Sequence, residues 1–476
     1  MKKSLLVISF FLLAVISASA GEPSGWVQSY KSGYVDKNGN YCGGSEIMHI
    51  VPHKGKLYAF NGFWKDRHLH PNKNSAQVLR LDSPDSKWVL DFETNKKFLE
   101  YTKGKIMHMK GNILKSVTFK KDKEGKDIDV NLLLGAAWAW EINKNRHHGL
   151  SVFTRNDETG KWKHTLLLKG PLHIKRNGKK FRVRRVPRDM AVYRDPKLGI
   201  DRIFMIAGNL GIISGVYNSQ TKQIEWNETP EHPKDGKLLG GRPLGIAEAN
   251  GNLYFSHGGT ILVRTNGEQP KWTIACTISE KGVNPELGGI RGLTTVKSPD
   301  GSMDSLLLVW TARGRSPGNI IRLDGKELKR TKEFSCRELY NRFSPHRDVT
   351  RHGCALGAYN RFMPVKDPRT GKIVHLVGFQ QSIDADKEYA YVKKGHHYKG
   401  AMYGIRIAHD KYSGGCVNGK WEKGKPVLVA PRTYAISPFP EEKGAVYFGG
   451  YDANFKEATE MAWIFKADIE TVLGYK

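Results

Sequence analysis

The sequence feature that most constrains the fold is a unit that occurs seven times: an apolar segment, a Gly- or Asp-rich turn and a second apolar segment. Several units end in a tryptophan-centred segment, as at Trp88, Trp162 and Trp272. Helical periodicity is almost absent. The paired segments are 45–51 and 55–60, 115–119 and 130–134, 188–193 and 201–206, 242–247 and 251–255, 291–296 and 305–310, 354–359 and 373–378, and 432–436 and 445–448.

Short strands in seven units of roughly 50 to 75 residues predict an all-β fold, a seven-bladed β-propeller. Tandem β-sandwiches would need linkers between domains, and the sequence contains no such stretch. A β-helix would have a much shorter period. We therefore expect residues 21–476 to form a single propeller domain.

The N-terminus has the composition of a secretory signal peptide. Lys2 and Lys3 precede an apolar run over 5–16, and Ala18-Ser19-Ala20 is a small-x-small cleavage pattern. We expect residues 1–20 to be removed before Gly21, giving a soluble periplasmic or secreted protein. No later segment is apolar enough to cross a membrane.

The charge of the chain indicates an anionic partner. The sequence has 76 Lys and Arg against 47 Asp and Glu; without Lys2 and Lys3 the net charge is still +27. A field of this sign attracts polyanions. An acidic polysaccharide suits an exported protein, whereas nucleic acid does not suit one whose basic residues are dispersed. The alternative is a basic surface without function.

Four units begin their first strand with arginine: Arg188, Arg242, Arg291 and Arg432. The first strand of each blade lines the central channel of a propeller, so radial repetition predicts a cluster of guanidinium groups at one mouth. Such clusters bind carboxylate or sulfate through paired hydrogen bonds. Each arginine alternatively pairs with an acidic neighbour such as Asp189.

Aromatic and histidine residues concentrate after the second strands. The second unit has Trp140 and His148, together with Trp138, Arg146 and His147. An aromatic face beside polar groups is typical of sugar recognition, and we list Trp140 and His148 as candidate substrate contacts. Each tryptophan taken singly is equally consistent with core packing.

Five cysteines make an odd number, so at least one is unpaired or binds metal. Cys336, His352 and Cys354 offer three ligands, and His257 or His346 would complete a tetrahedral structural zinc site. The alternative is buried free thiols. We expect catalysis to require no cofactor.

His49 is the strongest single candidate for chemistry. It is the only histidine in the seven predicted first strands, and strand alternation would place it on one face with Ile47 and Val51. Its side chain titrates near neutrality, which suits a general acid or base. The alternative is a hydrogen-bonded structural histidine.

The segments 55–59, 289–294 and 449–454 resemble those of seven-bladed propellers that act on uronic-acid polysaccharides. Two activities are implied: an α-L-rhamnosidase that removes rhamnose from glucuronate in arabinogalactan proteins, and ulvan lyase. Residues 46–49 resemble the rhamnosidase catalytic strand, which implies an essential role for His49. Tyr193 would correspond to the lyase tyrosine.

The lyase pattern is incomplete. Residues 116–119 contain no histidine, and Asn209 stands where that family has an arginine. We therefore expect a hydrolase specific for α-1,4-linked rhamnose on glucuronate, acting as a monomer. Arg188, Arg242 and Arg291 are candidate substrate contacts, with Arg242 the first candidate for the carboxylate. Alternatives are a uronate lyase and a propeller that only binds acidic glycans.

Overall fold

Seven antiparallel sheets follow one another along the chain and surround a central axis. The computed structural model describes residues 25–63, 75–94, 106–141, 146–169, 173–176, 179–183, 185–233, 239, 241–278, 289–311, 318–343, 354–356, 361–381, 401–417, 430–451 and 460–475. The predicted signal peptide, 1–20, lies outside these residues. Within the described ranges, no helix has the length and apolar character needed to cross a membrane.

Blade 1 is preceded by β1 (Val27–Lys31) and by a short hairpin of β2 (Tyr34–Val35) and β3 (Tyr41–Cys42). A second hairpin, β13 (His173–Arg176) and β14 (Lys179–Arg182), precedes blade 3. Blade 1 contains β4 (Glu46–His53), β5 (Lys56–Gly62), β6 (Gln77–Leu81) and β7 (Val89–Glu93); blade 2 contains β8 (Ile106–Met107), β9 (Ile113–Lys121), β10 (Asp127–Glu141), β11 (Arg146–Arg155) and β12 (Trp162–Leu167); blade 3 contains β15 (Pro187–Asp195), β16 (Ile200–Ala207), β17 (Ile212–Asn218) and β18 (Gln223–His232).

The remaining blades follow the same order, with the innermost strand first. Blade 4 contains β19 (Pro243–Ala249), β20 (Asn252–His257), β21 (Thr260–Arg264) and β22 (Trp272–Thr277); blade 5 contains β23 (Gly289–Lys297), β24 (Asp304–Thr311), β25 (Asn319–Asp324) and β26 (Lys329–Ser335), followed by helix α1 (Cys336–Phe343); blade 6 contains β27 (Cys354–Leu356), β28 (Met363–Lys366), β29 (Ile373–Gln381), β30 (Ala401–Ala408) and β31 (Lys411–Val417); blade 7 contains β32 (Ala430–Ile436), β33 (Val446–Tyr451) and β34 (Ala462–Ala467), followed by helix α2 (Ile469–Val472). Short 3₁₀ turns occur at Gly208–Leu210 and Pro440–Glu442.

The ring closes through the N-terminal strand. β1 pairs with β34, so blade 7 takes its outer strand from the beginning of the chain and its three inner strands from the end. Trp26 is buried beside this junction, with its ring 5.3 Å from that of Phe448. The closure leaves no exposed edge on β34, which would otherwise invite pairing with another chain.

Apolar side chains fill the space between neighbouring blades. Between blades 1 and 2, for example, Tyr58 and Phe60 pack with Leu133 and Phe153 in one buried cluster. The tryptophans noted in the sequence mark the outer part of their blades. Trp88 is fully buried, and its indole donates a hydrogen bond to Ser29 Oγ at 3.0 Å.

A β-bulge near the start of the innermost strand recurs in five blades and decides which side chains face the axis. One extra residue occurs on the inner strand relative to its partner in blades 1, 3, 4, 5 and 7. A bulge re-aims the side chains beside it. The bulges lie between Ile47 and His49, Pro187 and Met190, Pro243 and Gly245, Arg291 and Thr294, and Pro431 and Thr433.

The bulge in blade 1 corrects the predicted alternation around His49. Met48 is the extra residue, and Ile47 and Ile50 both pack in the same buried cluster. His49 therefore does not share a face with Ile47. β4 also extends to a second histidine, His53, which is buried and pairs with Asp157 at 3.0 Å.

Blade 6 departs from the predicted unit at 354–359. Its inner edge consists of two short strands: β27 pairs with the end of β29, and β28 pairs with its beginning. Arg361 and Phe362 precede β28 and lie at the axis. The other six predicted strand pairs are confirmed.

Candidate functional site

A cavity of about 360 Å³ lies on the propeller axis, and every blade contributes to its wall. Its volume is at the small end of the range for ligand pockets. Most lining residues belong to, or follow, the bulges near the start of the inner strands. They are His49, Ile113, Lys115, Arg188, Asp189, Leu244, Gly292, Leu293, Thr294, Arg361, Phe362, Met363, Pro364, Arg432, Thr433 and Tyr434.

His49 is held in the wall of this cavity by a neighbouring blade. Its Nε2 lies 2.7 Å from the carbonyl oxygen of Asn112, which accepts a hydrogen bond, so Nε2 carries the proton. Nδ1 is therefore the basic nitrogen of the neutral ring. Burial lowers the pKa of His49 to about 4; the Asn112 carbonyl opposes this shift, and the charges of Lys115 and Arg361 add to it. The ring is neutral at physiological pH, as a proton acceptor must be.

Asp189 is the one carboxylate among the lining residues, and its oxygens are occupied. It accepts hydrogen bonds from the backbone N–H groups of Met190 and Ile246, each at 2.8 Å. Lys115 Nζ lies 2.7 Å from its Oδ1, and Arg361 pairs with its Oδ2. A carboxylate with four donors is a structural anion rather than a nucleophile or an acid.

The four arginines at the starts of inner strands form the predicted cluster. Arg188 and Arg432 line the cavity. Burial lowers the pKa of Arg291 to about 10, and the charges of Arg242, Arg432 and Arg188 lower it further, because all four guanidinium groups face one region. Concentrated positive charge at the opening attracts anionic ligands.

Glu46 is a fully buried carboxylate in the same region. It pairs with Arg432 from blade 7 and, at 3.4 Å, with Lys110 from blade 2. Arg432 also donates to the hydroxyl of Tyr451 at 2.8 Å. Glu46 is not among the lining residues and acts here as a counter-ion that orients Arg432.

Tyr434 belongs to the cavity wall, but its hydroxyl oxygen is buried from solvent. Burial raises its pKa well above the usual value, although the nearby backbone N–H groups of Gly378 and Arg361 oppose the shift. The phenol therefore stays protonated. Among the groups that line the cavity are four cationic side chains, one occupied carboxylate and a neutral histidine.

The described wall of the cavity has no pair of free carboxyl groups. Glycosidases of the common type use two carboxyl groups that flank the scissile bond. Among the lining residues only Asp189 has a carboxylate, and it is bound by four donors.

Other sequence-predicted contacts lie elsewhere. Tyr193 is buried between blades 3 and 4, where its hydroxyl bonds to Gly251 O at 2.8 Å and Asn266 Oδ1 at 2.9 Å, so it packs the blades and does not line the cavity. Arg242 is exposed outside the lining set. Trp140 and His148 lie on the paired strands β10 and β11, and their side chains are outside the described part of the chain.

The predicted zinc ligands are only partly described. His257 ends β20 and packs against the ring of Phe255, while Cys336 is buried at the start of α1. His352 and the side chain of Cys354 lie outside the described residues. In the ranges given above, no group of three or more metal-ligating side chains comes together. The structural zinc stays a prediction.

Three ionisable residues of the cavity were not singled out from the sequence: Lys115, Arg361 and Tyr434. Lys115 begins the predicted first strand of unit two, in the same place as the arginines of other units, and that equivalence was a usable signal. Tyr434 lies two residues after Arg432 on the same predicted first strand, so its place in the repeat was also a usable signal. Arg361 had no such signal, because the inner edge of blade 6 is formed by two short strands and Arg361 lies outside the predicted first strand, 354–359.

No protein-family model and no curated protein matches the chain. Solved structures with similarity include an ancestral GH74 enzyme, at TM-score 0.47 and 10% identity, covering 94% of this chain and 51% of that one. Phage phi92 endosialidase gives TM-score 0.40 and 8% identity, covering 93% and 69%. Trypanosoma rangeli sialidase with sialic acid gives 0.38 and 9%, covering 94% and 58%.

The chain spans about half the length of the first of these structures. Structural neighbours thus occur among glycoside hydrolases and sialidases. The fold and the cavity themselves define the class: a seven-bladed β-propeller with a cationic cavity on its axis.

Proposed function

We propose that this protein is an exported carbohydrate-active enzyme that binds a uronate-containing glycan in the axial cavity and cleaves the linkage beside the uronate. The observation that carries the proposal is the composition of the cavity wall. Lys115, Arg188, Arg361 and Arg432 surround a neutral His49, with Asp189 as the single lining carboxylate. Guanidinium and ammonium groups in a partly dry cavity favour a carboxylate ligand.

Within this class we propose hydrolysis of rhamnose α-1,4-linked to glucuronate. The resemblance of residues 46–49 to the rhamnosidase catalytic strand supports it, as does the location of His49 in the cavity wall. His49 Nδ1 takes a proton from the water that attacks the anomeric carbon of rhamnose. Solvent water gives a proton to the departing O4 of glucuronate, and the proton on His49 later returns to solvent.

Elimination is a second candidate, favoured by a neutral histidine in a wall that also carries cations able to bind the uronate carboxylate. His49 Nδ1 would remove the proton at C5 of the uronate, and the electron pair would form the C4–C5 double bond. The O4 leaving group would take a proton from solvent water. The cations would stabilise the negative charge that develops on the carboxylate.

The products separate these reactions. We expect the protein to release free rhamnose from an acidic arabinogalactan without new ultraviolet absorbance, and to lose at least about 100-fold in activity on the carboxyl-reduced polymer. Ulvan and carboxyl-reduced ulvan are the matched pair of substrates that tests elimination. The unsaturated uronate formed by elimination absorbs in the ultraviolet.

If the protein released unsaturated uronate and no free rhamnose, the reaction at this site would be elimination and not hydrolysis. Equal cleavage of native and carboxyl-reduced polymers would contradict the proposed function. So would binding to both acidic polymers without any product, which is the behaviour of a glycan-binding propeller.

A further inference from the structure

We propose that Lys115 and Arg361, held across the axis by Asp189, form the subsite that receives the substrate carboxylate in the same cavity as His49. This inference deepens the proposed function and rests on it. It differs from the sequence expectation, in which Arg242 was the first candidate for the carboxylate.

The three residues come from three blades and form one fixed unit. Asp189 of blade 3 binds Lys115 of blade 2 at 2.7 Å and pairs with Arg361 of blade 6. Lys115 also donates to the carbonyl of Met190, and Arg361 donates to the carbonyl of Ile246 at 3.1 Å. Two backbone N–H groups hold Asp189 itself. The cations therefore have defined positions before any ligand binds.

Exposure shows which part of the unit faces a ligand. The Asp189 side chain is 5% exposed, whereas those of Lys115 and Arg361 are 27% and 35% exposed and line the cavity. The buried anion orients the two cations, and the cations present their remaining surface to the ligand. Lys115 and Arg361 carry two positive charges and Asp189 carries one negative charge, so the unit has a net charge of +1. One ligand carboxylate would neutralise it.

The excess charge is held in a partly dry environment. Burial lowers the pKa of Lys115 well below its usual value, and the charge of Arg361 adds to this. Burial also lowers the pKa of Arg361 to about 10. A ligand carboxylate would relieve this electrostatic cost, because an opposite charge favours the ionised forms of both groups.

The same two cations act on His49. Their charges contribute, after burial, to the low pKa of its ring, whereas the charge of Glu46 opposes them. A carboxylate bound by Lys115 and Arg361 would offset these charges and raise the pKa of His49. The substrate would thereby strengthen the base that acts on it. The charged or titratable groups around His49 are the buried Glu46, which does not line the cavity, and the lining residues Lys115, Arg188, Asp189, Arg361, Arg432 and Tyr434.

Binding of sodium glucuronate, with glucose as the neutral probe, tests the carboxylate subsite. We expect the wild-type protein to prefer glucuronate, and Arg361→Gln to lose about tenfold or more in glucuronate affinity, the value of one charged hydrogen bond. Glucose affinity should not change. Lys115→Met is the second variant, and Arg342→Gln, in an exposed pair on α1, is the matched control. Circular dichroism and melting curves report folding.

An NMR titration of His49 tests the coupling, with its signals assigned by their loss in His49→Gln. We expect saturating glucuronate to raise the pKa of His49 from about 4. Lys115→Met should raise it without ligand and reduce the further shift on binding. A purely structural role for Lys115 would not produce this pattern.

The outcomes distinguish this inference from the proposed function. Cleavage of uronate glycans by wild type, combined with unchanged glucuronate affinity in folded Arg361→Gln and Lys115→Met, would overturn the subsite and leave the function standing. If only Arg242→Gln lost the preference for glucuronate, the carboxylate would bind at the mouth of the channel. That result would also overturn the subsite of Lys115 and Arg361. A wild-type protein that neither binds glucuronate nor cleaves uronate glycans would overturn both.

Discussion

Replacing His49 by glutamine is expected to lower kcat/KM on the acidic glycan by about 10²–10⁴-fold, the usual contribution of a general acid or base. Glutamine can still donate a hydrogen bond to the Asn112 carbonyl that now holds Nε2. It has no basic nitrogen to replace Nδ1. The fold should persist because the cavity side of His49 is not part of the apolar packing between blades. Initial rates of product release give the measurement.

The exposed His409, which follows β30, provides a matched control. His409→Gln should keep wild-type rates, and circular dichroism should show the same strand content in both variants. Full activity in a correctly folded His49→Gln protein would remove His49 from the mechanism.

The second large effect concerns stability, at an ion cluster that joins blades 3 and 4. The Arg264 guanidinium is fully buried and lies 2.8 Å from both Asp195 and Glu231. Arg264→Met keeps much of the volume but leaves two carboxylates without their cation. Removing one partner of a buried ion pair costs about 3–5 kcal/mol. We therefore expect the free energy of unfolding to fall by about this amount in urea denaturation.

Arg342→Met is the control for this substitution. Arg342 is 56% exposed and pairs with Glu338, itself 44% exposed, on the surface of α1. Exposed pairs contribute about 0–1 kcal/mol, so this variant should unfold near the wild-type midpoint. Equal stability of the two variants would mean that Arg264 does not tie the blades together.

The repeat was sufficient to predict the propeller because each blade has a local signature of two apolar strands and a turn. It also predicted the arginine cluster, since radial symmetry brings equivalent positions such as Arg188 and Arg432 together. What it could not predict is the bulge. One extra residue at Met48 leaves no mark in the apolar pattern, yet it changes the face on which His49 lies.

The carboxylate subsite could not be predicted from the sequence of any single blade, because its residues come from three different blades. The sequence indicates Asp189 only as a partner for a neighbouring arginine, whereas its partners in the structure are Lys115 of blade 2 and Arg361 of blade 6. Tyr193 has the residue type expected of a lyase tyrosine, but its register places the hydroxyl between blades 3 and 4. Such contacts follow from the closed ring and not from any one unit.

The most direct test of the central claim is a crystal structure of the His49→Gln protein with a rhamnose-capped acidic oligosaccharide. We predict the sugar in the axial cavity, with the glucuronate carboxylate on Lys115 and Arg361 and the linkage to rhamnose beside residue 49. A glycan bound away from the axis, on the outer strands or at the opposite mouth, would contradict the account.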